Sequence, residues 1–214
     1  QQQLAQLLVV LGALFFSLMG LCVKKADAKL STFTLLAVRS ALGLIFSLVT
    51  SCLSAAYNGK ASQRCSPKIT RRDVLWLAVR GLVGFATILL EYLALKHMPL
   101  GLNTVIVYSS PGFIVLWSAL LVGEPIRLPV VACLLVAFAG LVITIHPWEI
   151  RDLESPIWAY ATALLAAVGA GLVYVALGQL TRVSYEAVMY VFLSTCLVLS
   201  IVVGLFLGAL EAPP

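Results

Sequence analysis

Seven stretches of this chain are each apolar for long enough to cross a hydrocarbon layer, and no motif restricts the backbone as much. They cover residues 4–23, 33–57, 74–95, 102–122, 129–145, 157–178 and 187–210. A bilayer core takes about 20 apolar residues of helix, and in lipid every backbone polar group must be satisfied within the protein. The expected fold is therefore an all-α polytopic membrane protein. Composition agrees: 62% of the 214 residues are hydrophobic and 11% are charged, with a mean hydropathy of +1.06, outside the range of water-soluble domains. The first run, followed by Lys24-Lys25, reads as a span and not as a cleaved signal peptide.

The fourth run is interrupted near its middle by Tyr108-Ser109-Ser110-Pro111, and an acidic elbow, Gly123-Glu124-Pro125, separates it from the fifth. Proline removes a backbone donor and crowds the carbonyl one turn back. A broken helix is expected here, and at membrane depth a break is tolerated only against protein or a water-filled cavity. Transporters use such breaks to set polar backbone beside a solute. A packing kink is the competing reading, because proline is common in membrane helices.

The formal net charge of +5 could suggest nucleic acid, but the basic residues stand in short loops and form no patch interleaved with aromatics. They read as topology signals. Sorting the loops by side gives Lys60, Arg64, Lys68, Arg71, Arg72, Arg127 and Arg182 against Lys24, Lys25, Lys29, Lys96 and Arg151, the second group mixed with Glu149, Asp152 and Glu154. The positive-inside rule then sets the N-terminus in the cytoplasm. Five scattered cysteines show no metal spacing and read as packing residues. There is no HExxH or GxSxG, and one acid lies within a span, so no catalytic residue, metal or cofactor is expected.

Arg39, Arg80 and Glu91 lie inside runs, where ionisable groups are expensive and tend to face a bundle interior or an aqueous cavity. Arg80, Gly84, Thr87 and Glu91 fall at helical spacing on one face. Arg39, Glu91 and Tyr108 each stand roughly 6–10 Å below the same surface at 1.5 Å per residue. The candidate solute-binding residues are therefore Arg39, Glu91 and Tyr108 around the outer half of a central cavity, Arg80 in its inner half, and Ser110 at the break. Pro111, Gly169 and Gly171 are the candidate hinge or helix-break positions. Bland readings compete with each of these. An arginine near an interface can snorkel to the headgroups, Glu91 can pair with Lys96, and the glycines can serve close helix packing. His97 and His146 read as ordinary helix-end polar groups. Trp76, Trp117, Trp148 and Trp158 read as interfacial anchors.

Sliding the chain on itself by 153 residues sets Leu11 on Leu164, Ala13 on Ala166 and Ser31 on Ser184, so the first two runs fall on the last two without a gap. A repeat of five helices reverses orientation in its next copy, and inverted repeats with a site at their interface are a transporter architecture. The segments FFSLMGLCVKK, LLAVRSALGL, AVRGLVGFATILLEYLALKHMPLGLNTVIVYSSPGFIVLWSALLVGEP and GLVITIHP resemble the EamA repeat of the drug/metabolite transporter superfamily. The nearest likeness is to the G subfamily of solute carrier family 35.

The resemblance implies ten helices in two inverted five-helix repeats, both termini cytoplasmic, a central cavity, and export or exchange of small organic solutes. On that reading residues 4–147 are the first repeat and 157–210 the first two helices of a second, truncated one, seven of ten helices in all. The expected partners are a small organic solute, the lipid bilayer, the missing second-repeat helices and a second copy of the chain. A non-transporting membrane scaffold that binds a partner helix through small-residue faces is the rival reading.

Overall fold

The computed structural model describes residues 31–58, 70–145 and 156–207, together with 6, 14, 18 and 21. Apart from those last four positions, which are helical, the first run lies outside the described residues. So do Lys60, Arg64, Lys68, Arg151, Glu149, Asp152, Glu154, His146 and Trp148. The described residues form helices and no strand: α1 Thr32–Asn58, α2 Arg71–His97, α3 Leu100–Val107, α4 Ser110–Trp117, a π-helical turn Ser118–Val122, α5 Leu128–Ile145, α6 Ile157–Gln179 and α7 Tyr185–Phe206.

Five described segments are long and apolar enough to span a membrane: Thr32–Cys52, Arg71–His97, Leu100–Val122, Ile157–Gln179 and Tyr185–Phe206. The fifth apolar run forms α5, whose stretch Leu128–Ile143 is shorter than these. Local chemistry sets the helix ends. Asp73 in the first turn of α2 accepts the Thr70 backbone N–H at 2.9 Å, an acid at the positive end of the helix dipole. Pro99 and Pro156, which cannot donate, stand at the N-caps of α3 and α6. Ser184 caps α7 by accepting from Ala187 N.

The break in the fourth run is real and compact. Tyr108 ends α3, Ser109 has φ −74° and ψ −8°, and Pro111 lies in the first turn of α4. The Ile106 carbonyl accepts both the Ser109 backbone N–H at 3.1 Å and the Ser109 hydroxyl at 2.6 Å. Its polar groups are thus closed locally by a tightened turn, the usual remedy where a helix is interrupted in lipid. The same span ends in the wide π turn and at Gly123, whose φ of +78° suits a residue without a side chain. There the Ser118 hydroxyl donates to the Glu124 carboxylate at 2.5 Å, holding the elbow.

Helix α6 is the hub. It packs most extensively on α2 and also covers α4 and α3, while α7 packs on α1 and α2. Lipid tails are as apolar as leucine, so helices in a bilayer gain from close approach and not from hiding hydrophobic surface. The sequence of α6 fits that requirement: Ala159, Ala163, Ala166, Ala167 and Ala176 are fully buried, and Gly171 is buried beside them. A methyl at Gly171 would lie 2.7 Å from Phe113 Cβ and 2.9 Å from its backbone carbon, and one at Gly169 would collide with the Thr87 hydroxyl. The Trp117 indole donates to the Val168 carbonyl at 3.1 Å, so this tryptophan ties α4 to the middle of α6 instead of anchoring at an interface. Helices α1 and α7 run antiparallel, with Gly43 against Leu193 and Tyr190 donating to the Ser47 carbonyl at 3.0 Å.

These contacts make a paired prediction. Gly171→Ala has to push backbone apart and should cost about 1–3 kcal/mol in thermal or denaturant unfolding in detergent. Gly112→Ala, at a position with open space around it, should stay within about 0.5 kcal/mol.

Candidate functional site

The two arginines inside the spans stand among α1, α2 and α7 within electrostatic reach of each other, each held by an aromatic ring. Arg39 of α1 donates through Nη1 to the Tyr92 hydroxyl at 3.3 Å, with its guanidinium carbon 5.8 Å from the centre of that ring. Arg80 of α2 lies over the ring of Phe192 on α7, its guanidinium carbon 3.7 Å from the ring centre. Phe192 and Tyr92 belong to one buried apolar cluster with Leu36, Phe85, Leu95 and Cys196. Cation–π stacking of a desolvated guanidinium is worth about 2 kcal/mol, enough to orient it but not enough to repay its removal from water.

The direction in which Arg80 points matters most. Its Cα is nine residues from the start of α2, yet a methyl at Gly84 would lie 2.7 Å from Arg80 Nη1 and 2.7 Å from Phe192 Cε2. Gly84 is the central residue of this 27-residue helix. The guanidinium is therefore turned toward the middle of the span and away from its nearer end, the opposite of snorkelling. Gly84 makes room for it, because any side chain there would occupy the same space. Arg80 Nε is buried and has no hydrogen-bond partner. Among the described residues the ionisable groups that bear on it electrostatically are Cys196, Tyr174, Tyr185 and Arg39, with no carboxylate among them.

Glu91 is half-buried one position before Tyr92 and within electrostatic reach of Arg39. The expected trio of Arg39, Glu91 and Tyr108 is thus brought together only in part. Tyr108 stands on the α3–α4 break, where the helices pack on α6, and its side chain is 51% exposed. Ser110 is buried at the start of α4, Pro111 is half-buried in its first turn, and Gly169 and Gly171 lie within the unbroken α6. The structure therefore divides the candidate residues between two places, a charged one at α1–α2–α7 and a helix-break one at α3–α4–α6.

Two residues of the charged cluster, Tyr92 and Phe192, were not singled out by charge or helical spacing. A signal for Phe192 exists all the same: the 153-residue offset carries Arg39 onto Phe192. His97, at the end of α2, makes an edge-to-face contact with Trp158 of α6, ring centres 4.5 Å apart.

Filling the Arg80 cradle gives a direct check. Gly84→Ala has to displace the guanidinium or the Phe192 ring, with an expected loss of about 1–3 kcal/mol in unfolding free energy, the cost of overpacking a filled site. Combining it with Phe192→Leu should cost less than the sum of the two changes, which a double-mutant cycle measures.

Comparison with known proteins accords with this architecture. Residues 3–146 match the model of the EamA-like transporter family. The pseudopaline exporter CntI of Pseudomonas aeruginosa, from two strains, is 32% identical over 189 residues, which cover 86% of this chain and 61% of the exporter. A probable transport protein, YPL264C of Saccharomyces cerevisiae, is 32% identical over 72 residues, 34% of this chain and 20% of that protein. A solved structure described only as the crystal structure of a protein superposes with a TM-score of 0.63 at 24% identity, over 92% of this chain and 64% of that one. The chain thus spans about three fifths of the length of the exporter it matches. Its apolar helices and its match over residues 3–146 establish that it belongs to the EamA-like transporter family, as an integral, multi-pass membrane protein.

Proposed function

We propose that the protein is a secondary transporter that moves a small organic anion across its membrane by alternating access, with Arg80 holding the anionic group. One observation carries the reading: a guanidinium at the centre of a spanning helix, on the α2–α7 contact, has a buried, unpartnered Nε and, among the described residues, no carboxylate that bears on it. Even on insertion scales a charge at that depth costs about 2.5–3.5 kcal/mol. An arginine also binds carboxylates in a planar, two-pronged fashion that lysine cannot reproduce. A carboxylate-bearing solute supplies the missing partner.

Residues 4–147 act as one repeat and 157–210 as the opening of a second. In support, α1 and α7, which the 153-residue offset sets on each other, run antiparallel. Sites at a repeat interface near the bilayer midplane are the rule in such folds. Tyr108 and Ser110 line the opposite wall at the helix break, and Pro111 with the close α6 contacts of Gly169 and Gly171 accommodates the rocking of one group of helices against the other. Arg71, Arg72 and Arg182 stand at one end of the bundle, where Arg72 donates to Gln179 at 3.3 Å. That end faces the cytoplasm by the positive-inside rule, and so does the N-terminus. Resemblance to an exporter named for a small metabolite supports such a cargo here.

The test is uptake by proteoliposomes containing the full-length protein, with radiolabelled glutamate, malate and citrate as probes. The wild-type protein takes up at least one of them. Arg80→Ala lowers that uptake by about tenfold or more, the worth of a charge-assisted hydrogen bond; Arg39→Ala lowers it less. Unchanged carboxylate uptake in both variants excludes the anion-holding role. Absence of uptake by the wild-type protein favours the scaffold reading.

A further inference from the structure

We infer that Tyr174 of α6 contacts the anion that Arg80 holds, donating its hydroxyl to it across a crevice open at the end of the bundle that bears Arg71, Arg72 and Arg182. The inference rests on the reading that Arg80 holds an anion, and it adds a second donor to that site.

Ala163, Ala167, Gly171, Tyr174 and Gly178 follow at spacings of four, four, three and four residues, so they share one face of α6. Over its first part this face is closed. Ala163 is buried in one group with Ala94 and Met98, with Leu102 and Ile106 packed on it, and Gly171 lies against Phe113 of α4. Past Gly171 the same face opens: Tyr174 is 56% exposed, and a methyl at Gly178 would have nothing within 4 Å. Tyr174 therefore stands on the side that α6 turns to its neighbours, where they have separated from it. Leu165, about two and a half turns earlier and so on the opposite side of the helix, is exposed to the same 56% and serves as its lipid-facing counterpart.

Tyr174 and Arg80 belong to the same region. Tyr174 is among the groups that bear electrostatically on the Arg80 guanidinium. Helices α2 and α6 run antiparallel, with Thr87 against Gly169 and His97 against Trp158, and Arg72 donates to Gln179 where α2 begins and α6 ends. Tyr174 is five residues from that end of α6, about 8 Å deep, and Arg80 is nine residues into α2, about 14 Å deep at 1.5 Å per residue. Side chains lean toward the N-terminus of their helix, which for α6 carries the ring inward, toward the level of Arg80. The Tyr174 hydroxyl has no hydrogen-bond partner among the described residues. Tyr185, the other exposed tyrosine in reach of Arg80, is the first residue of α7, where contact with water is ordinary.

The chemistry of a carboxylate suits this pair. Its two oxygens offer about four acceptor positions, and a guanidinium fork fills two of them. A phenol on the open side fills a third without placing another charge in the membrane. Arg80 then supplies the charge and Tyr174 the direction of approach, so removal of the hydroxyl weakens binding without changing the turnover of a solute once bound.

Two measurements on the full-length protein decide it. In protein whose native cysteines are replaced by alanine, Tyr174→Cys and Leu165→Cys are reconstituted into liposomes and exposed on both faces, by freeze and thaw, to a charged maleimide. Tyr174→Cys is expected to react about tenfold faster or more, because the reactive thiolate forms in water and not in lipid. Equal rates, or faster labelling of Leu165→Cys, overturn the crevice and the inference with it. In uptake of whichever of glutamate, malate and citrate the wild-type protein carries, Tyr174→Phe is expected to raise KM about tenfold with the maximal rate unchanged, the loss of one hydrogen bond to a charged group. An unchanged KM in Tyr174→Phe, beside lost uptake in Arg80→Ala, overturns the Tyr174 contact and leaves the Arg80 reading standing. If the wild-type protein carries none of the three, the Arg80 reading falls and takes this inference with it, whatever the labelling.

Discussion

A guanidinium at the centre of a membrane-spanning helix is the least affordable group in this molecule, and much of the surrounding sequence can be read as its support. Gly84 leaves the space it fills, Phe192 gives it a π face, and the close packing of α7 on α2 keeps that face in place. None of these neutralises the charge. A structure that only needed to tie α2 to α7 could do so with apolar side chains at lower cost, since buried ionic groups are commonly replaced by well-packed apolar ones without loss of stability. Among the described residues no carboxylate bears on this cation, and that is what supports the proposal of a partner that comes and goes.

The second constraint is packing without a hydrophobic driving force. Helix α6 solves it with alanine and glycine, approaching α2 through Gly169 and Thr87 and α4 through Gly171 and Phe113. This arrangement sets a helix of the second half of the chain into the middle of helices from the first half. Tight contacts of this kind resist insertion of extra atoms, and on the α4 side they seat Phe113 against Gly171 and the Trp117 indole on the Val168 carbonyl. The Thr87 hydroxyl, buried against Gly169 without a hydrogen-bond partner, shows how closely the two helices meet.

Much of this was legible in the sequence because lipid imposes simple rules. Apolar runs of spanning length predict the helices, Ser110-Pro111 predicts the break between α3 and α4, and the small residues around Gly169 predict a close helix contact. That Arg39 and Arg80 lie inside span-length helices was readable for the same reason. Their partners were not: Tyr92 and Phe192 are aromatics in apolar runs and look like any other membrane-facing or core residue until the helices are set side by side. The separation of Tyr108 from Arg39 and Glu91 was illegible for a related reason. Depth can be counted along a helix, but direction around the bundle depends on which helices are neighbours. Trp117 illustrates it well, standing near a run end by sequence while donating to the Val168 carbonyl of α6.

The most direct measurement of the central claim is an experimental structure of the full-length protein with a carboxylate-bearing solute bound. The account predicts the solute carboxylate on the Arg80 guanidinium, over Gly84 and beside Phe192, at the middle of the membrane. A solute carboxylate bound elsewhere, with Arg80 paired to a carboxylate of the protein itself, would contradict it.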